Sequence, residues 1–191
     1  MQPIEEEIIM ALRNIVEKGD PVLNKKCRAV TEYNERLHTL IDDMRETLEK
    51  ANGAGLAAPQ VGILRRVCIV IGNDDEMIEL VNPEIIEADG EQTGPEGCLS
   101  LPGKFGMVTR PYHVRVRAYD RNGNEFEAEG TELTARCFCH EIEHLDGHLF
   151  DEHVDHFMTD DDFEEYYETH QEELEAMAAE YAQEEDEGEE E

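Results

Sequence analysis

The chain is organised around residues 136–147, Arg136-Cys-Phe-Cys-His-Glu-Ile-Glu-His-Leu-Asp-Gly147. His140 and His144 are four residues apart, a spacing that places two side chains on one face of an α-helix. Two imidazoles so placed can bind one metal ion, and Glu141 beside them can act on a water molecule there. The same spacing also occurs in ordinary helices. The flanking positions are apolar, as a buried helix requires: they are Leu133, Ala135, Phe138, Ile142 and Leu145.

The composition limits both the size of the protein and its partners. A chain of 191 residues is long enough for one well-packed domain and short for two. Its 16 basic and 48 acidic residues give a net charge of -32, which repels the phosphates of nucleic acids and anionic membranes. We therefore expect no direct binding to nucleic acid or to a membrane.

The compartment is predicted from the absence of targeting signals and from the cysteines. No apolar run approaches the ~20 residues of a membrane span, and the first residues lack the basic region of a signal peptide. The five cysteines are odd in number and irregularly spaced, as is typical of buried thiols or metal ligands in a reducing compartment. These features predict a cytoplasmic protein, which we expect to be a monomer.

Helical and strand patterns alternate before the histidine helix. A short helix or extended arm is predicted at 5–16, a turn at 19–21 and a helix from about 31 to 52. Strands are predicted at 66–71 and 77–81, with Asn82-Pro83 ending the second and Ile85 opening a third. Two more strands flank a hairpin turn at 120–123. Because hairpins connect the strands, we expect an α+β fold with antiparallel β-sheets packed around the central metal-binding HExxH helix.

The end of the chain is predicted to differ from the rest. Thr159-Asp-Asp-Asp162 has the pattern of a capped helix start, and a stripe of aromatic and apolar residues follows it. The last eight residues are almost all acidic, which predicts disorder. We therefore divide the chain into a catalytic domain at 1–158, an amphipathic acidic C-terminal helix at 159–183 and a disordered tail at 184–191.

The third ligand distinguishes the metal hydrolases that share the HExxH motif. Metzincin proteases continue the motif to a third histidine, but that position holds Phe150, and His148 falls two residues early. A downstream glutamate, as in thermolysin-like proteases, stays open. Cys137 shares the helix face of the histidines but lies roughly 7.5 Å along the axis from their midpoint, which places it beside the metal rather than on it. Among the cysteines, Cys98 is the remaining candidate.

Three segments, in this order, resemble the signature motifs of peptide deformylases. They are Gly53-Ala-Gly-Leu-Ala-Ala-Pro-Gln60, Glu96-Gly-Cys-Leu-Ser100 and His140-Glu-Ile-Glu-His144-Leu-Asp-Gly147. Gly19-Asp-Pro-Val-Leu23 also resembles the N-terminal segment of that family. The resemblance covers about residues 10–150. It implies a metal-dependent hydrolase that removes the formyl group from the N-terminal formylmethionine of new polypeptides and releases formate.

The resemblance also implies a role for each matching residue. Cys98, His140 and His144 are the implied metal ligands, and Glu141 is the implied general base toward a water in the open coordination position. A thiolate with two imidazoles suits zinc, iron, cobalt or nickel. The resemblance implies Fe(II), one ion per chain, with Zn(II), Ni(II) and Co(II) as substitutes.

The substrate is expected to lie across the first motif. Gln60 and the backbone N–H of Leu99 are the implied donors to the oxyanion. Leu133 and Cys137 lie on the helix face that carries the ligands, so they are candidates for the methionine pocket. Three residues are expected to pair with the substrate backbone like an added strand: Gly53, Ala54 and Gly55. The expected partners are N-formylmethionyl nascent polypeptides, without the ribosome docking that a basic terminal helix would provide.

Two positions in the histidine helix depart from the family pattern. Cys139 stands where glutamine is usual, and Glu143 stands where aspartate is usual. Cys139 is expected to pack in the interior, and Glu143 is expected to lie close to the ligands. Neither change removes a ligand or the base. Two other hypotheses are a different metal hydrolase, such as a peptidase or deacylase, and a binding module built around the acidic terminal helix.

Overall fold

The computed structural model describes residues 12–171, which form three α-helices and eight β-strands. The helices are α1 (Glu35–Ala51), α2 (Glu132–Asp146) and α3 (Asp160–Thr169). The strands are β1 (Gly55–Ala57), β2 (Val67–Ile71), β3 (Met77–Asp89), β4 (Gln92–Cys98), β5 (Leu101–Arg110), β6 (His113–Tyr119), β7 (Glu125–Thr131) and β8 (His156–Phe157). The described chain divides into two compact units, one ending at Asp155 and the other beginning at His156.

The first unit is built on a five-stranded sheet with the order β1-β2-β3-β6-β7, in which all neighbours are antiparallel. Strand β2 is buried on both faces because a helix covers each side of the sheet. Val67 and Ile69 belong to the apolar cluster of α1, whereas Cys68 and Val70 belong to the cluster of α2. The predicted α+β class with antiparallel strands is confirmed.

Helix α1 forms where the apolar stripe predicted it. The side chain of Asn34 caps its N-terminus by accepting hydrogen bonds from the N–H groups of Arg36 and Leu37. Asn52 ends the helix in the left-handed region. All residues of the stripe are buried: they are Leu37, Leu40, Ile41, Met44 and Leu48.

Strand β3 is longer than predicted. Asn82-Pro83 does not end a strand, so the separate third strand predicted at Ile85 is wrong. The pairing of β3 with β6 instead shifts register between Val81 and Glu84, and Asn82 has a φ of 53°. A bulge tolerates proline because the missing N–H is not needed in the ladder. The Asn82 amide also bonds both the N–H and the carbonyl of Val30, at 2.8 and 2.9 Å.

Helix α2 lies between the sheet and a second β layer. Phe138 and Leu145 pack into the cluster shared with the sheet, while the guanidinium of Arg136 donates to the carbonyl of Val108 in the β4–β5 hairpin. Gly147 ends the helix with a φ of 88°, where a Cβ would lie 3.0 Å from the backbone of Asn24. The predicted placement of the histidine helix at the centre of the fold is confirmed.

The second unit contains β8 and α3. Thr159 caps α3 through a hydrogen bond from the N–H of Asp162, as the sequence predicted. The rings of Tyr166 and His170 stack at 4.1 Å within it. The predicted N-terminal arm lies largely outside the described residues, as does the terminal stretch from 172 to 191. Within residues 12–171, no helix is both long enough and apolar enough to cross a membrane.

Candidate active site

Three potential metal ligands meet at one point between α2 and the β4–β5 hairpin. The Sγ atom of Cys98 lies 3.2 Å from Nε2 of His144, which lies 3.2 Å from Nε2 of His140. Two donors bound to one tetrahedral ion at roughly 2.0–2.3 Å are about 3.3–3.6 Å apart, so these separations fit a single transition metal. Within residues 12–171, this is the only group of His, Cys, Asp or Glu donors close enough to hold an ion.

Local structure explains why the three ligands converge. The histidines lie one turn apart on α2, with their ring centroids at 4.8 Å. Cys98 is the last residue of β4, where the ladder with β5 shifts register between Gly97 and Cys98. The irregularity allows the chain to turn at the cysteine, since a shifted register changes the direction of the side chains.

His140 is oriented by a buried glutamate that was not predicted as a site residue. Its Nδ1 lies 2.7 Å from Oε1 of Glu96. A neutral imidazole that donates its Nδ1–H to this carboxylate keeps Nε2 available for a metal. Glu96 also accepts hydrogen bonds from the buried guanidinium groups of Arg110 and Arg136. Burial raises the pKa of Glu96, but hydrogen bonds with His140 and Arg110 outweigh burial and hold the pKa well below its usual range.

The surroundings of His144 differ from those of His140. It is 1% exposed, and its Nδ1 has no hydrogen-bond partner among the described residues. Burial lowers the pKa of His144 well below the usual value. The imidazole is therefore kept neutral, which is the form that binds metals.

Glu141 lies directly against the backbone of β1. A Cβ atom at Gly55 would be 2.5 Å from Oε1 of Glu141 and 2.8 Å from its Cγ, so the carboxylate occupies the space that only glycine leaves open. Burial raises the pKa of Glu141 to about 7. A carboxylate with such a pKa is suited to accept and donate a proton near neutral pH.

Gln60 is buried in the 3-10 helix Ala58–Val61 that follows β1. Its Oε1 accepts a hydrogen bond from the N–H of Ala57 at 2.8 Å. The amide NH2 therefore faces the other way, toward Oγ of Ser100 at 3.3 Å and Sγ of Cys98 at 3.5 Å. The side chain thus presents a donor at the ligand cluster.

A cavity of about 380 Å³ opens at this cluster. Every predicted site residue except His144 borders it: these are Gly53, Ala54, Gly55, Gln60, Cys98, Leu99, Leu133, Cys137, His140 and Glu141. Leu133 is exposed at the cavity mouth, whereas Cys137 is buried. The volume falls in the range of small-molecule and peptide-residue pockets.

Three further residues considered in the sequence are not part of the donor group, which consists of Cys98, His140 and His144. Cys139 is buried in the interior cluster of α2, and burial raises its pKa to about 11. Glu143 bonds Nη1 of Arg110 at 2.6 Å. His148 is exposed and pairs with Glu152 instead of approaching the ligands.

Pattern reasoning missed three charged residues: Glu96, which contacts His140, and Arg110 and Arg136, which contact Glu96. For two of them, the position in the sequence could have indicated a place near the site. Arg136 precedes His140 by one helical turn on the same face, and Glu96 lies next to the cysteine of the second motif. Arg110 is in a strand of mixed polarity, where nothing in the pattern marks it as buried.

The fold and the site define the class of the protein. A helix with HExxH, a cysteine and two histidines around one point, and a buried glutamate beside an open cavity form the site of a metal-dependent hydrolase. A family model described as Polypeptide deformylase matches residues 12–160. The chain belongs to the polypeptide deformylase family.

Individual relatives agree with this assignment. A peptide deformylase of Agathobacter rectalis is 58% identical over 156 residues, which cover 82% of this chain and 98% of the relative. One of Caldanaerobacter subterraneus is 52% identical over 155 residues, covering 81% of this chain and 97% of the relative. The crystal structure of a peptide deformylase from Legionella pneumophila is 43% identical, with a TM-score of 0.72, and covers 75% of this chain and 86% of that one.

The activity follows from the family. The protein is a metal-dependent hydrolase that removes the N-formyl group from the N-terminal formylmethionine of newly synthesised proteins. Its substrates are formylmethionyl nascent peptides. The sequence-based prediction of a deformylase is confirmed, and the hypotheses of an unrelated peptidase and of a non-enzymatic binding module are not supported.

Proposed function

We propose that Cys98, His140 and His144 hold the catalytic ion, with Fe(II) as the physiological metal and Zn(II), Ni(II) or Co(II) able to replace it. The observation that carries this proposal is the convergence of one sulfur and two nitrogens within 4.8 Å of one another. Such a soft, mixed donor set suits these metals. When bound at such a site, a divalent ion polarises a carbonyl oxygen and lowers the pKa of a water molecule to about 7.

Glu141 is the general base of the proposed mechanism. It takes a proton from the attacking water and gives it to the nitrogen of the leaving amine, which becomes the new N-terminus. The close contact with Gly55 holds the carboxylate at the cavity wall. Its pKa of about 7, raised by burial, supports both transfers at neutral pH.

Gln60 and Leu99 stabilise the negative charge that develops on the formyl oxygen. The Gln60 amide is suited to this role because the hydrogen bond from Ala57 directs its NH2 group toward Cys98. The backbone N–H of Leu99 is proposed as the second donor, since this residue follows Cys98 and borders the cavity. Donors that are already oriented need little reorganisation as the charge develops.

The substrate backbone is proposed to pair with residues 53–55. Strand β1 bonds β2 on one side and is the edge of its sheet among the described strands, so an extended peptide can be added beside it. Leu133 and Cys137 are the proposed walls of the methionine pocket. A class I type b peptide deformylase of Acinetobacter baumannii, 32% identical with a TM-score of 0.72 over 76% of this chain and 100% of that one, is bound to Met-Ala-Ser.

Formate release tests the activity and the metal together. Protein prepared anaerobically with Fe(II) is expected to release formate from formyl-Met peptides faster than a zinc-loaded sample. Glu141→Ala is expected to lose nearly all turnover while keeping its metal. An intact rate in this variant would exclude Glu141 as the base. Action as a monomer and location in the cytoplasm stay predictions.

The ligand assignment is tested by comparing Cys98 with a cysteine of α2 that is not a proposed ligand. Cys98→Ala is expected to lose bound metal in elemental analysis, because only two donors are left. Cys139→Ala is the matched control, since Cys139 is buried in the apolar cluster of α2, and it is expected to retain one ion per chain. Equal metal content in the two variants would contradict the assignment.

A further inference from the structure

The outer wall of the cavity is formed by the hairpin of β4 and β5, in which Gly97 pairs with Phe105. A Cβ atom at Gly97 would lie 2.7 Å from Cε1 and 2.9 Å from Cδ1 of Phe105. The aromatic ring therefore rests on the strand backbone beside the metal ligand Cys98. The ring can occupy this position because Gly97 has no side chain; a Cβ atom there would overlap the ring.

The Phe105 ring is partly exposed although it packs on Gly97. Phe105 is 42% exposed and borders the cavity. Of the large apolar side chains that are exposed within residues 12–171, only Phe105 and Leu133 border it. Leu133 lies at the start of α2 and Phe105 on the hairpin opposite, so the mouth of the cavity has an apolar residue on each wall.

The direction of an extended substrate decides which side chain meets the ring. Successive side chains of an extended peptide point to opposite sides. When the methionine side chain points toward Leu133 and Cys137 on α2, the side chain of the second residue points away from that helix. It then lies at the mouth of the cavity, where Phe105 offers an apolar face.

The geometry points to Phe105 as a specificity-determining residue: its ring favours formyl-Met substrates whose second residue is aromatic or large and apolar. This inference rests on the deformylase function and on the proposed methionine pocket. Aromatic contacts of this kind strengthen binding by about two- to tenfold, so the preference is of that size and lies mainly in KM. Lys104, the neighbouring residue at the rim, would instead favour an acidic second residue.

The experiment compares metal-loaded enzyme on three peptides, formyl-Met-Phe-Ser, formyl-Met-Ala-Ser and formyl-Met-Asp-Ser. The intact protein is expected to show a kcat/KM about fivefold higher for the Phe peptide than for the Ala peptide. In Phe105→Ala this ratio falls to less than about twofold, and in Phe105→Leu it lies between the two. Tyr112→Ala is the matched control, because Tyr112 is also 42% exposed but is outside the cavity; its ratio stays at the intact value.

Three outcomes would overturn the proposal. They are equal kcat/KM values of the intact protein for the Phe and Ala peptides, an unchanged ratio in Phe105→Ala, or a fall of this ratio in Tyr112→Ala as large as that in Phe105→Ala. A preference of the intact protein for the Asp peptide would assign specificity to Lys104 instead. If the protein were not a deformylase, none of the three peptides would release formate. This result differs from every outcome that concerns Phe105 alone.

Discussion

Arg110 and Arg117 both pair with glutamate, yet they lie in opposite surroundings. Arg110 ends β5 and bonds Glu96 at 2.8 Å, and both side chains are at most 5% exposed. Arg117 lies in β6 and bonds Glu127 at 3.2 Å, with both side chains 44% exposed. The inner pair is part of a network that reaches the proposed metal ligand His140, whereas the outer pair lies across two neighbouring strands of the sheet.

The difference shows that the same chemical pair serves two purposes. An exposed pair gains little because water screens it. A buried pair gives up the hydration of both charges, so its attraction often adds nothing to stability, but loss of one partner is costly. The inner network is thus explained by orientation: it places a carboxylate on Nδ1 of His140 and leaves Nε2 ready to bind the metal.

Glu96→Ala is expected to have the largest effect on stability. It leaves the buried guanidinium groups of Arg110 and Arg136 without the carboxylate that both contact. Removal of one partner from a buried ion pair costs about 3–5 kcal/mol. The free energy of unfolding, measured with urea on metal-free protein, checks this value without a contribution from metal loss. A loss of stability below about 1 kcal/mol would show that breaking the buried pair costs no more than breaking the exposed pair.

Glu96→Gln is expected to act mainly on metal binding. The amide keeps the volume and an acceptor for His140 but loses the charge. Loss of such an outer partner lowers metal affinity by about 10- to 100-fold. Competition with a chelator measures the affinity, and Glu127→Gln in the outer pair is the matched control, for which no change is expected. Equal affinities in the two variants would contradict the role of Glu96.

Glu143→Gln tests a pair of intermediate exposure. Glu143 is 27% exposed and contacts both Arg110 at 2.6 Å and His153 at 3.3 Å. We expect a loss of about 0.5–1 kcal/mol, since solvent screens part of the interaction. Urea unfolding at low and high salt measures this loss. The Glu143→Asp variant shows whether the longer side chain matters; an unchanged stability would mean that the shorter carboxylate also reaches its partners.

Arg117→Ala is expected to have the smallest effect, about 0–1 kcal/mol, which salt reduces further. Thermal unfolding at two salt concentrations measures it. Metal content and formate release are expected to stay at the level of the unchanged protein. A loss of stability as large as that of Glu96→Ala would show that burial does not determine how much each ion pair matters for stability.

Much of the fold could be predicted because its determinants are local. The stripe of α1 and the cap of α3 are each encoded by neighbouring residues. The continuation of β3 through Asn82-Pro83 was missed for the opposite reason. It depends on a side chain bonding to Val30, which is distant in sequence, so a rule that ends strands at Asn-Pro could not anticipate it.

In the site, too, residues marked by local sequence spacing were predicted, whereas residues whose burial depends on the fold were missed. The histidines and Glu141 are predictable from helical spacing. Cys98 became the ligand candidate after Cys137 and Cys139 were set aside, and the family resemblance supported it. Glu96 and Arg110 were missed as functional residues because a charged residue in a strand is ordinarily on the surface. Their burial depends on how the hairpin packs on α2, which a single sequence does not reveal.

The contact between Gly55 and Glu141 has a consequence for how the chain can vary. A side chain at position 55 would overlap the carboxylate, so any replacement there requires residue 141 to move or to shrink. A shorter residue at 141 would no longer place a base in the cavity. The two positions therefore constrain each other's mutational tolerance: in a library that varies both, active clones are expected to retain the glycine and the glutamate together.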